Sequence, residues 1–299
     1  MWLIFALLSC AAYAVAEQID SFFVNRKFKN PVALIFYSSL FNIIYVLGLY
    51  FFVRPALPSM GTLWLFILLG FVNVGYLWPY YKGLQDDDAS VAISFLALER
   101  IMVPVLAFLL VGEVLYPIQY VGIIVIIASV VLLALHHSRK RFRLSKGVWH
   151  IAWASLFLAF EAIFLKMLFD QGVSVSTAIG GEALVSLFFG LSVAVLSSAR
   201  KDIASHFGIF LKISPVYFME ELFTFLGLFF EGSAISRTSV SVAKAVTMAS
   251  PFFLIFYAEI GKRFFPTVFK EDLRRRRVFR KIILFMVLLV GIALVSTHV

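Results

Sequence analysis

The sequence predicts an all-α polytopic membrane protein of about ten transmembrane helices in two inverted five-helix repeats. Three observations carry that expectation. Of the 299 residues, 62% are hydrophobic and 14% are charged, whereas a soluble domain is roughly half apolar and a quarter charged. The apolar residues come in runs of about 20, the length a helix needs to cross a bilayer's hydrocarbon core. Landmarks also recur at a near-constant interval: Glu17 and Glu161 are 144 residues apart, Glu113 and Glu259 146, Pro104 and Pro251 147, and Gly83 and Gly232 149.

The expected spans fall at 2–23, 31–53, 61–81, 88–112, 115–136, 147–169, 175–197, 208–230, 238–260 and 281–298. Each is apolar all round, because a spanning helix meets lipid and satisfies its backbone internally. No two-residue alternation is present, which excludes a β-barrel. The start, "MWLIFALLSCAAYAVAEQ", has the apolar segment and small residues of a signal peptide. It lacks a basic n-region and its helical pattern continues to Phe23, so it is read as the first span.

The formal charge of +9 sits in the loops. Loops one, three, five, seven and nine hold 21 of the basic residues, and the even loops hold only Arg54 and Arg237. Basic loops stay cytoplasmic during insertion, so the bias predicts odd loops inside and both termini outside. The run "KEDLRRRRVFRK" (270–281) then meets anionic headgroups. This distribution speaks for a lipid bilayer and against nucleic acid as a partner. A homodimer is left open.

Cys10, the single cysteine, rules out an internal disulfide. The five histidines, at 136, 137, 150, 206 and 298, lie mostly at span ends without ligand spacing, so no metal, cofactor or catalytic residue is assigned. No Gly-rich, Lys-containing nucleotide loop is present.

The interval divides the chain into repeats 1–137 and 147–299, joined by a basic linker at 138–146. "YYKGLQDDDASVAISF" (80–95) parallels "FFEGSAISRTSVSVAK" (229–244). Five spans per copy is an odd number, so the second copy inserts upside down. That plan recurs in secondary transporters, with the substrate site at the midplane.

The stretch "GLQDDDASVAISFLALERIMVPVLAFLLVGEVLYPIQYVGIIVIIASVVLL" (83–133) resembles the EamA-type members of the drug/metabolite transporter superfamily. The likeness rests on Gly112-Glu113 closing the fourth span, then Gln119 and Gly122 opening the fifth. It implies ten spans and a permease of the inner or plasma membrane rather than an enzyme. Two features depart from the family pattern: its termini are often cytoplasmic, and Glu99-Arg100 stands where uncharged residues are usual.

Nine ionisable residues lie within spans: Glu17, Glu99, Arg100, Glu161, Lys166, Glu182, Glu220, Glu221 and Lys244. A charge at the bilayer centre costs about 2.5–3.5 kcal/mol on insertion scales, so such groups face the interior and mark functional paths. Tyr13, Glu17 and Asp20 share one helix face, as do Val240, Lys244, Thr247 and Pro251. Glu99 and Arg100 point about 100° apart, so each is expected to find its partner on another helix, with Glu17 or Glu161 balancing Arg100. Lys166 with Asp170 reads as an interfacial pair, Glu182 and Glu113 as structural, and the acidic triad 86–88 as a cap at the start of the fourth span. The expected substrate-binding residues are Glu17, Glu99, Arg100, Glu161, Glu220, Lys244, Tyr76 and Trp78, with Pro104 and Pro251 as helix hinges.

The expected function is alternating-access transport of a small polar or charged metabolite, with protons as a candidate coupling ion. A nucleotide-sugar or lipid-glycan carrier of the same superfamily is the alternative, and an integral-membrane enzyme ranks behind it.

Overall fold

The computed structural model describes residues 1–26, 31–86, 96–137, 146–250, 252–253, 256–257 and 275–297. Among these the regular structure is entirely helical. The α-helices are α1 (Trp2–Arg26), α2 (Pro31–Phe52), α3 (Leu63–Asp86), α4 (Ala97–Val111) and α5 (Pro117–His137), followed by α6 (Lys146–Asp170), α7 (Val175–Ser192), α8 (Ser197–Ile235), α9 (Val240–Thr247) and α10 (Arg275–Val295). Among the described residues, six helical stretches are long and apolar enough to cross a membrane: Trp2–Asp20, Pro31–Phe52, Met60–Asp86, Lys146–Asp170, Val175–Val195 and Ser197–Ile235. They correspond to α1–α3 and α6–α8. Pro117–Ser129 and Ile283–Val295 are shorter apolar helices. The chain is an integral membrane protein.

The most extensive contacts between the halves follow a rule. α1 packs on α8 and α3 on α6, α3 packs on α7 and α2 on α8, and α4 packs on α6 and α1 on α9. α2 packs on α7, α4 on α9 and α5 on α10. Exchanging each helix of the first half for the one five places later maps these pairings onto themselves.

The motif residues at 112–122 sit at this seam. Gly112, with φ +66°, ends α4 in the left-handed region that favours glycine. The turn carries Glu113 to the start of α9, where Val240 N–H donates to Oε2 at 2.8 Å and Ser241 N–H to Oε1 at 3.1 Å. A carboxylate there satisfies orphan donors and complements the helix dipole. Gln119 Nε2 donates to the Val295 and Thr297 carbonyls at 3.3 and 3.1 Å. A Cβ on Gly122 would meet Val295 N at 2.8 Å, and one on Gly291 would meet Ile126 Cγ1 at 2.7 Å, so α5 and α10 pack backbone to backbone.

Several helices run past their expected bounds, two of them with consequences for the site. The eighth span, expected at 208–230, is the middle of a 39-residue helix, about 58 Å long at 1.5 Å per residue. The charges at 200–202 that suggested a loop are good enough helix formers to extend the helix past the hydrocarbon. α3 likewise runs on to Asp86, which sits 3.7 Å from His150 Nε2. Asp86 therefore ends the third helix rather than capping the fourth. Asp87 and Asp88 lie outside the described residues, as do Pro251, Glu259, His298 and the side chains of the polybasic run.

Candidate functional site

Six helices, three from each half, converge on a cavity of about 110 Å³. Tyr13, Ala16, Glu17 and Asp20 come from α1, Asn73, Tyr76 and Tyr80 from α3, and Glu99 and Arg100 from α4, with Leu96 just ahead of it. Leu158 and Glu161 come from α6, Thr224, Leu228 and Glu231 from α8, and Lys244 from α9. The local reason is helical spacing. Tyr13/Glu17/Asp20, Asn73/Tyr76/Tyr80 and Thr224/Leu228/Glu231 each recur at three to four residues and then seven, which puts each set on one face.

Two cations and two carboxylates close on one another at one side of the cavity. Lys244 Nζ lies 2.8 Å from Glu99 Oε1 and 2.9 Å from Glu231 Oε1. Arg100 Nη1 lies 2.5 Å from Glu99 Oε2 and also donates to the Leu96 carbonyl at 3.2 Å. Tyr13 OH donates to Glu231 Oε2 at 3.1 Å. Glu99, Glu231 and Lys244 are 1%, 2% and 5% exposed, so the pairs are desolvated and each charge depends on its partners for compensation.

This corrects the expectation that Glu99 and Arg100 pair only with other helices. Their Cβ atoms do diverge, but arginine's long stem swings its guanidinium back over the neighbouring carboxylate. Glu99 alone also reaches across, to α9. Glu99 and Lys244 are 145 residues apart, inside the interval of the other landmarks, and α4 and α9 are exchange partners. The central ion pair therefore joins one helix of each half, at positions separated by the interval of the other landmarks.

The other carboxylates of the cavity have no cation within ion-pair distance among the described residues, and Glu161 is hydrogen-bonded to Glu182. Glu17, Asp20 and Glu161 form no ion pair among the described residues, and Glu17 Oε2, Asp20 Oδ1 and Glu161 Oε2 are buried without a hydrogen-bond partner among them. Asp20 Oδ2 accepts a bond of 3.4 Å from Tyr80 OH. A second cavity of about 60 Å³ adjoins the first through Asn73, Tyr76, Thr224 and Leu228. There Glu182 Oε1 accepts from Asn73 Nδ2 at 2.7 Å, and Ser186 Oγ donates to Asn73 Oδ1 at 3.1 Å.

Six of the sequence-expected residues therefore meet at the main cavity: Glu17, Tyr76, Glu99, Arg100, Glu161 and Lys244. Glu220 is buried off its wall, with Oε1 accepting from Thr224 Oγ1 at 2.9 Å. Trp78 is 44% exposed, edge-on to His150 with ring centroids 5.4 Å apart, and lines neither cavity. A helix turns two residues through about 200°, so Tyr76 and Trp78 were bound to face apart. Pro104 lies inside α4. Its missing N–H leaves the carbonyl of Arg100, four residues back, without its helical donor at the cavity edge. Pro251 is outside the described residues.

Sequence reasoning missed Glu231, Asn73 and Tyr80. Glu231 was placed in a loop because the apolar run stops at 230. The signal available was its position three residues beyond Leu228 and seven beyond Thr224, on one face. Among the described residues, no three His, Cys, Asp or Glu side chains cluster as a metal site.

Residues 1–135 match the EamA-like transporter family. No curated protein sequence matches the chain. Another protein's crystal structure aligns over 99% of both chains with a TM-score of 0.67 at 12% identity, a likeness of fold alone.

Proposed function

We propose that this chain, whose residues 1–135 belong to the EamA-like transporter family of the drug/metabolite transporter superfamily, is a secondary transporter. It moves a small polar or charged metabolite by alternating access of two inverted five-helix repeats, 1–137 and 147–299. The observation that carries the reading is the charged cavity built by α1, α3 and α4 together with their exchange partners α6, α8 and α9. A cavity between matched halves can open to either side as the halves rock, which is the usual plan of repeat-built transporters.

In this reading Glu17, Tyr76, Glu99, Arg100, Glu161 and Lys244 line the substrate path, and the carbonyl freed by Pro104 gives α4 a hinge. Glu17, Asp20 and Glu161 are the groups available to carry a proton, since each keeps a buried oxygen without a hydrogen-bond partner among the described residues. The 21-to-2 loop bias favours cytoplasmic odd loops. A nucleotide-sugar or other phosphate-bearing cargo has less support, because both cavity cations are already engaged by Glu99 and Glu231.

The test is uptake into proteoliposomes of radiolabelled amino acids, amines and nucleotide sugars. Saturable uptake of one class, lost in a folded Glu161→Gln protein, is the expected result. Uptake that never exceeds empty vesicles, or that ignores the substitution, contradicts the assignment.

A further inference from the structure

The transport reading leaves the cargo open, and the balance of partners in the cavity narrows it. Lys244 and Arg100 are spoken for by Glu99 and Glu231, at 2.5–2.9 Å. An incoming anion would compete with two carboxylates already in place. The opposite holds for positive charge. Asp20 and Glu161, 7% and 5% exposed, line the same cavity, one from each half of the chain, and each keeps a buried oxygen without a hydrogen-bond partner among the described residues. Glu17, one helical turn before Asp20, adds a third such oxygen. Buried carboxylates are retained only where something compensates them.

The rest of the wall suits an organic cation rather than a bare metal ion. Tyr13, Tyr76 and Tyr80 line the cavity, with the Tyr76 and Tyr80 ring centroids 6.0 Å apart. Aromatic faces attract ammonium groups within about 6 Å of the ring centre. No described group of His, Cys, Asp or Glu has a metal-binding arrangement. Size sets the upper bound: the volume is about 110 Å³, whereas a cavity of roughly 150 Å³ holds benzene. Because carboxylates without an ion-pair partner among the described residues come from both α1 and α6, one positive charge on either helix leaves the other helix's carboxylate uncompensated.

We infer that the cavity takes a small linear organic diamine, with one ammonium group on Glu17 and Asp20 of α1 and the other on Glu161 of α6. The inference rests on the transport reading and names its substrate class.

The test is ligand-induced thermal stabilisation of the purified full-length protein. The probes are 1,4-diaminobutane, butylamine, alanine and glutamate, on wild type, Glu161→Gln and Asp20→Asn. Mass action makes the size of the shift a measure of affinity. The expected result is a shift of several degrees with the diamine, apparent affinity at least tenfold above butylamine, and at least tenfold weakening in each variant. The melting temperature of each ligand-free variant shows whether it is folded. If a variant fails to fold, the order of the four probes on wild type still decides. Equal stabilisation by butylamine, or preference for alanine or glutamate, overturns the diamine assignment, as does no response to any probe. The transport reading is judged separately, by access to a cysteine placed at Leu228 from each side of the membrane, which requires no ligand.

Discussion

Glu231 and Glu161 face the same cavity, yet their surroundings differ. Glu231 shares Lys244 with Glu99 and accepts the Tyr13 hydroxyl. Glu161 is 5% exposed and keeps an oxygen with no partner among the described residues. The matched carboxylate belongs to a closed electrostatic unit that ties α4 to α8 and α9. The unmatched one lacks that compensation, and the proposed transport reading assigns the compensation to a bound cargo. A buried charge thus says little about function until its partners are counted.

The largest effect expected is from Lys244→Met. It strands Glu99 and Glu231 against each other, and breaking a buried pair typically costs about 3–5 kcal/mol. Thermal melting in detergent should show the drop. The distinction between matched and unmatched carboxylates fails if Glu161→Gln destabilises equally.

Glu161→Gln is expected to leave melting unchanged or raise it while weakening transport by roughly tenfold to a hundredfold. That range follows from about 1.5–3 kcal/mol for a hydrogen bond to a charged group. Paired melting and uptake curves separate the two effects.

A smaller loss follows from Glu113→Ala, which removes two bonds to the α9 terminus. A lost cap typically costs about 1 kcal/mol, visible in melting. Smallest is Lys166→Ala. Its 2.8 Å pair with Asp170 is one helical turn long and half-exposed at the aspartate, so the change should stay within about 0.5 kcal/mol.

Much of this fold was legible because a bilayer leaves few options. A run such as 147–169 can only be a helix, and α6 spans Lys146–Asp170. Boundaries were read less well where polarity and helicity part company, as in α8, whose charged first turns remain helical. At the site, Glu17 and Glu161 stood out by being acidic in apolar text. Glu231 did not, because it adjoins Gly232 at an apparent span end. The Glu99–Arg100 contact was misread because Cβ directions do not limit a side chain as long as arginine. Nor does sequence alone show that Lys244 lies between two carboxylates from different helices, since that depends on how α4, α8 and α9 pack.

The most direct test of the central claim uses the single native cysteine to advantage. In a Cys10→Ser background, Leu228→Cys places one thiol at the junction of the two cavities. It is then probed with a membrane-impermeant thiol reagent on oriented proteoliposomes. Alternating access predicts labelling from either side, with rates that change in opposite directions when the equilibrium is biased. A thiol that never reacts, or reacts from one side only under every condition, would contradict it and leave the charged cavity a purely structural core.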